Sequence, residues 1–483
     1  MTVLTEEHRS SRRRQPEKGL PLRVLLSSAA AWIAIFAAGC GTEYRASLPA
    51  SDSLGTVGAF RIARVITHFH TPYSFDACDK EGLAEDVPNA SCLLHLRQAL
   101  CTNRVDALFL TDHPDNMARF GFRELLLTAE GDEPALDGNG SPYANHTAAC
   151  ANGHRSWIWA GFEGRIMPMG MTGHLEGTAA SRLVDYGLET PDLVERLRQE
   201  TGAVIAIPHP ESRSVETIRG LQPDLIEIYN IHANLDPKIR KRDLGEPPFE
   251  NLASLMAYIV DPYDGMLPDF AFMSFFKLFQ VHFDRWNALL ADGSRIGGIA
   301  GSDSHENVFS QEAADGERLD GHRRMMRFVS NHVLAPSLDP LEIKEALRRG
   351  RSWMVVEGLG TPRDFAFRGT QGATLATPGD ALRLSSGALT LSASLSGLHP
   401  ESPGELDETP EIRLELRRVA SDASESMVAS GGNRLDLTVT LPGAYRVHAW
   451  IRPRHLRDFL GPFEGAADRE FAWIVSNPIR VEP

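Results

Sequence analysis

Residues 61–76 read RIARVITHFHTPYSFD, a β-branched run that stops on two histidines one residue apart. Side chains two apart on a strand point to one side, so the imidazoles of His68 and His70 can reach one ion. Alone, H-x-H is a weak signal, but the same juncture recurs along the chain. The run 105–111 (VDALFLT) ends on Asp112 and His113, 157–162 on Glu163 (GFE), 203–208 on His209 (IAIPH), and 296–301 on Asp303 and His305 (GSDSH). A further run spans 224–229, and His174 stands in GHLE. Any one of these histidines is more often a hydrogen-bonded or surface residue than a ligand. Together with their acids, nearly all at the same end of successive strands, they point to a site, because that end of a parallel β/α structure is where active sites are built.

Helices alternate with these strands. In 190–201, Thr190 is the N-cap, Pro191 takes the first helical position, Asp192 lies in the first turn and Gly202 follows the end. Asp339, Pro340 and Gly350 bracket LEIKEALRR in the same way. Such alternation means a mostly parallel sheet or barrel. Residues 235–290 do not fit one β/α unit and include MLPDFAFMSFFKLFQ at 266–280. They read as a helical insertion, either a lid or wall or buried helices packed on the barrel. From about Gly358 the pattern changes to alternation: Ile412, Leu414 and Leu416, then Leu435, Leu437, Val439 and Leu441, then Tyr445, Val447, Ala449 and Ile451. This predicts a separate antiparallel β-sandwich over 358–483 with Tyr445, Trp450 and Trp473 as core and no catalytic cluster.

The order H-x-H, D-H, E, H, H, D-x-H, with GSDSH late, resembles the PHP (polymerase and histidinol phosphatase) superfamily of metal-dependent hydrolases over about 61–357. HTPYSFDAC, IEIYN at 226–230 and the trailing β-region ending in SNPIRV are more like the branch that includes a carbaryl hydrolase. The resemblance implies a distorted (β/α)7 barrel, over 58–357, and three adjacent metals. His68, His70, Glu163 and Asp303 would hold the first, Glu163, His174 and His209 the second, and Asp76, His113 and His305 the third, with Glu163 bridging. Asp76 stands where many members place His, and Phe75 interrupts the usual Ser-Asp order. Nitrogen and oxygen ligands without thiolate suit two to three divalent Zn, Mn or Fe ions.

A water bridging such ions becomes hydroxide near neutral pH and can attack phosphorus or an acyl carbon. The expectation is therefore a phosphoesterase with Glu163, Asp303 and His305 at the reacting centre and His305 as a candidate acid. Arg213 is a candidate for binding an anionic group of a small-molecule substrate, and Asn230 for orienting it. The alternatives are an ester, amide or carbamate hydrolase using the same metals, and a non-catalytic surface binding lipoprotein. His95, His146, His154, His232, His282, His322 and His332 lack motif context and read as structural or surface.

With 42% hydrophobic and 23% charged residues, the 483-residue chain is of ordinary globular composition, which excludes coiled-coil, collagen-like and mostly disordered classes. Its net charge of -15 argues against a surface that coats nucleic acid. The amino-terminal 23 residues run against this, with six basic and three acidic side chains, so their loss takes the charge to -18. Residues 24–36 are apolar but short for a bilayer span and lead through Ala37, Ala38 and Gly39 to Cys40. This resembles a bacterial lipobox, with Ala37 where Leu is usual. The expectation is a signal peptide over 1–39, lipidation at Cys40, a tether over 40–57, and an exported, membrane-anchored protein, periplasmic or at the cell surface. Cys78, Cys92, Cys101 and Cys150 then predict two disulfides. Of the three connectivities, any that joins Cys92 to Cys101 is disfavoured, since nine residues along one helix separate them too far.

Overall fold

The central strand, β1 (Phe60–Phe69), is buried from Ile62 onward, as a strand covered on both faces must be. In the computed structural model, which describes residues 47–250, 252–260, 266–404 and 408–483, it belongs to a large mixed sheet. The expected signal peptide, Cys40 and the start of the tether lie outside the described residues. The strands that follow are β2 (Ala107–Phe109), β3 (Trp157–Trp159), β4 (Met167–Met169), β5 (Val204–Ile207), β6 (Leu225–Asn230), β7 (Gly297–Ser304), β8 (Ser330–Ala335) and β9 (Ser352–Val355); β2, β3, β5, β6 and β7 are the runs read in the sequence, and β4, β8 and β9 are additional.

β1 pairs in parallel with β2 and β7, β2 with β3, β5 with β6, and β6 with β7. β4 lies antiparallel to β5 and is joined to the end of β3 through the Ala160–Met171 bridge. Pairing thus passes from β1 through β7 and comes back to β1. The length of β1 serves two partners, since Arg61–Val65 face antiparallel β8 while Thr67 and Phe69 face β7.

Side-chain caps begin helices at Thr190 and Asp339 as read and at Asn89 in addition. In α1 (Ala90–Asn103) the Asn89 side chain accepts from Ser91 and Cys92. In α2 (Pro191–Thr201) Thr190 accepts from Leu193, and Gly202, at φ 60°, closes the helix. α3 spans Gln280–Ala291, and α4 (Pro340–Arg348) is capped by Asp339, which accepts from the Leu341 and Glu342 N–H groups.

Residues 266–280 prove to be core rather than a lid. Phe270, Phe272, Phe275 and Phe276 are buried, with Phe272 and Phe276 against Phe328 and Phe276 also against Phe471. The C-terminal strands are β10 (Ala366–Gln371), β11 (Leu389–Ser394), β12 (Glu411–Val419), β13 (Glu425–Gly431), β14 (Arg434–Val439), β15 (Gly443–Arg452), β16 (Phe471–Ser476) and β17 (Ile479–Glu482). β10, β11 and β14 form a small antiparallel sheet with Thr374–Ala376. The others do not stand apart as a separate sandwich. β15 pairs with β12, β16 and β17, and β16 pairs with β9 through Trp353–Ser476, Met354–Val475 and Val355–Ile474. The physical reason is that β9 is buried along its length and only one of its edges is used by β8, so its free backbone groups need a partner.

The disulfides join Cys78 to Cys92 and Cys101 to Cys150, so the two cysteines of α1 each bond outward. Among the described residues no helix is long and apolar enough to cross a membrane.

Candidate metal centre

Four side chains from three strand ends meet at one point. His68 Nε2 lies 3.3 Å from both Glu163 Oε2 and Asp303 Oδ1, and His70 Nε2 lies 3.5 and 3.4 Å from the same two oxygens. These separations are long for charge-assisted hydrogen bonds. They match a coordination shell, because donors about 2.0–2.1 Å from one ion at tetrahedral angles stand about 3.3–3.4 Å apart. His68 Nε2, His70 Nε2 and Asp303 Oδ1 are buried without a hydrogen-bond partner. Such groups are costly to leave bare, and a cation at their centre satisfies all of them.

Both carboxylates have a second oxygen, and both turn it to His209, whose Nε2 is 3.1 Å from Glu163 Oε1 and 3.3 Å from Asp303 Oδ2. A third group adjoins: Asp76 Oδ2 lies 3.5 Å from His113 Nε2 and 3.5 Å from His305 Nε2, with His70 close by. The rings of His70 and His305 stack with centroids 3.8 Å apart. The structure does not bring His174 to this cluster. Its ring nitrogens face the Tyr186 hydroxyl and the Phe120 carbonyl oxygen, at 3.1 and 2.9 Å. The second oxygen of Asp303 stands at the place the sequence reading gave to His174.

The imidazoles share one arrangement. Nδ1 of His68 donates to Glu227 Oε1 (2.6 Å), that of His70 to Ser74 Oγ (2.8 Å), that of His113 to the Glu163 carbonyl (3.2 Å) and that of His305 to the Asp303 carbonyl (3.0 Å). Fixing the proton on Nδ1 leaves the Nε2 lone pair facing inward, as a ligand must. Glu227 escaped the sequence reading. It is fully buried on β6, and its other oxygen accepts from the His209 backbone N–H at 3.1 Å. A carboxylate inside the apolar run LIEIYN was the available signal.

Room for Glu227 comes from Gly301. A Cβ there would lie 2.0 Å from Glu227 Oε1 and 3.1 Å from His68 Cβ. The backbone also departs from a regular pleat, since His68, His209 and Asp303 adopt φ of 55°, 45° and 52°. The β7–β1 register shifts between Gly301 and Ser304, around Asp303. Left-handed residues of this kind re-aim side chains at functional sites and need surrounding structure to hold them. His68 and His70 therefore converge, but through a kink rather than by simple alternation.

Two sequence assignments shift. Asn230 is buried, donates to Asp303 Oδ2 (3.1 Å) and accepts from the Ala233 N–H, so its amide is engaged in positioning a carboxylate. Arg213 spends its guanidinium on Glu189 and on the carbonyls of Pro208, His209 and Arg165, so it builds the loop after β5. Asp112 likewise anchors that region of the site, accepting from the backbone N–H and hydroxyl of Thr71.

Burial works against charge on Glu163 and Asp303, yet the adjoining His68 and His209 hold both well below the usual carboxylate range. Burial disfavours a charged His68 too, but Asp303, Glu227 and Glu163 raise its pKa well above the ordinary value. The same negative potential that would hold a proton there favours a cation. Burial and His305 lower His70, which stays neutral. His113, Glu163 and His209 also line a cavity of about 650 Å³ that gives access to the cluster.

No family model and no curated protein matches the chain. A crystal structure of a two-domain protein containing a predicted PHP-like metal-dependent phosphoesterase, from Bacteroides vulgatus, is similar over 91% of this chain and 100% of that one, at 11% identity and a TM-score of 0.32. A TM-score that low transfers neither fold detail nor chemistry.

Proposed function

We propose that the chain is a metal-dependent hydrolase of the PHP type that cleaves phosphoesters, with the ring of strands β1–β7 as its distorted barrel. The observation that carries this is the convergence of unpartnered, buried histidine and carboxylate donors at coordination-shell spacing, with Glu163 and Asp303 each offering a second oxygen toward His209. His68, His70, Glu163 and Asp303 would hold one ion, Glu163, Asp303 and His209 a second, and Asp76, His113 and His305 a third. Divalent Zn, Mn or Fe, when bound, lowers the pKa of a coordinated water and draws charge from a phosphoryl oxygen.

The chain's own groups do the rest. Glu227, Ser74 and the carbonyls of Glu163 and Asp303 keep the rings turned with Nε2 inward. Asn230 holds Asp303 from behind. The partial exposure of Asp76 and His113, whose side chains are 22% and 21% accessible, leaves that side open to substrate.

The test is a hydrolysis panel of a phosphomonoester, a phosphodiester and a carboxyl ester on protein loaded separately with Zn and with Mn. Metal-dependent turnover of a phosphoester is expected. Turnover of the carboxyl ester alone would move the reading to ester, amide or carbamate cleavage, and an inert, metal-free protein would overturn it. We further propose export and lipid anchoring at Cys40, supported by the sequence of the first 40 residues. Cells fed labelled palmitate should label the protein, and Cys40→Ala should abolish the label.

A further inference from the structure

The cavity beside Glu163 and His209 has three arginines in its wall, Arg165, Arg213 and Arg242. Two are committed. Arg213 is engaged by Glu189 and three carbonyls, and Arg242 is chelated by Asp243 at 2.6–2.9 Å. Arg165 differs, with a side chain 69% exposed and its nearest carboxylate, Glu189, 4.0 Å away and already accepting from Arg213. Its backbone is fixed all the same, because Arg213 donates to the Arg165 carbonyl at 2.6 Å and Gly164 donates to the Ile166 carbonyl at 3.0 Å. A guanidinium two residues beyond Glu163 is thus anchored at its root and free at its tip.

We infer that Arg165 is the specificity-determining residue of this cavity: it holds a phosphoryl oxygen that faces away from the metal ligands and so selects phosphomonoesters, which carry a second negative charge, over diesters and uncharged esters. The inference rests on the phosphoesterase reading and names the substrate class for it. A planar fork of N–H donors suits phosphate better than a point charge does. The wall also carries the exposed Asp115, which opposes an anion, so net attraction at the rim depends on a cation able to swing to the ligand. Leu183, 42% exposed, and Ile239 add apolar surface against which the leaving group can lie.

The test compares Arg165→Met, which keeps the stem, and Arg165→Lys with the unsubstituted, metal-loaded protein on 4-nitrophenyl phosphate, bis(4-nitrophenyl) phosphate and 4-nitrophenyl acetate. A charge-assisted contact at a partly exposed site corresponds to about tenfold in binding. Arg165→Met should raise KM for the monoester about tenfold while kcat falls by less, with smaller changes on the other two esters and Arg165→Lys in between. Calorimetry with inorganic phosphate should show the same loss in affinity without any turnover. Unaltered phosphate affinity in Arg165→Met, or an equal rise in KM on all three esters, would overturn the inference alone. Absence of monoester hydrolysis in the unsubstituted protein would instead remove the phosphoesterase reading and the monoester selection with it.

Discussion

His68, His70, Glu163 and Asp303 come from the ends of strands β1, β3 and β7, and none of their side chains is more than 8% exposed. In the neighbouring group Asp76 comes from the loop after β1, and it and His113, which follows β2 as Glu163 follows β3, are about a fifth exposed. The first group is held by the sheet itself and by buried carboxylate and amide partners, Glu227 and Asn230. The second depends on how the loop after β1 is tied down. Cys78 and Asp79 donate to the carbonyls of His305 and Glu306, Asn307 donates to the Asp76 carbonyl, and the disulfide joins Cys78 to Cys92 at the start of α1. Ligands on rigid elements hold geometry better than ligands on loops, so the two groups should respond differently to the same kind of damage.

The largest effect belongs to Glu163→Gln. The amide keeps the shape, loses the charge and offers the two sides of the cluster unequal atoms. kcat should fall on the order of a hundredfold or more, with thermal unfolding of the loaded protein shifted downward and the fold retained. Near-native kcat with full metal content would show that Glu163 is not shared. Glu227→Gln should come next. It touches no ion, yet His68 loses its anionic partner, and such outer partners are worth about 10–100-fold in metal affinity. A metal titration followed by elemental analysis measures this, and unchanged affinity would mean that Asn230 and the backbone suffice to orient the cluster.

These two residues also mark the reach of sequence reading. Glu163 was legible because it ends an apolar strand-like run, as do His113 and His209, and a strand end is where a lone acid needs a reason. Glu227 was passed over because it lies inside a strand, where only its burial and the missing Cβ of Gly301 reveal its partner. His174 looked like a ligand in GHLE, but after β4 the chain turns toward α2, with the Thr172 N–H donating to the Thr201 carbonyl, and the ring is carried to Phe120 and Tyr186. Arg213 failed as an anion site because backbone carbonyls, invisible in a motif, take its donors. In the C-terminal region alternation located the strands, yet it could not say that β16 would pair with β9, since edge pairing is decided by which backbone groups remain free.

The disulfide gives a smaller and more selective probe. Cys78 and Cys92 are 14 residues apart, and closing a loop of about 15 residues contributes roughly 3 kcal/mol. Cys78→Ala with Cys92→Ala should lower the unfolding free energy by about that amount. The sharper outcome concerns the ions: the one near Asp76 should be lost first on dialysis against a chelator, while metal held by His68, His70, Glu163 and Asp303 persists. Simultaneous loss would mean that the two groups form a single unit.

The smallest effect should be that of Asp76→Asn. Burial alone would raise the Asp76 pKa, but the His113 hydrogen bond and the neighbouring His305 and His113 bring it down to about 2, so the residue is an anion throughout the neutral range. Removing that charge weakens the grip on a cation by one partner, while His113 and His305 keep their fixed Nδ1 protons and inward Nε2 atoms. The carboxylate oxygens shared with His209 are untouched. A decrease in kcat of less than about tenfold is expected, with metal content falling by at most one ion per chain. Activity measured across a range of added metal separates the two contributions, because a weakened site refills at high metal and a lost catalytic contribution does not. If Asp76→Asn were as damaging as Glu163→Gln at saturating metal, the loop-borne group would belong to the reacting centre itself, and the contrast between strand-held and loop-held ligands would no longer describe how the site works.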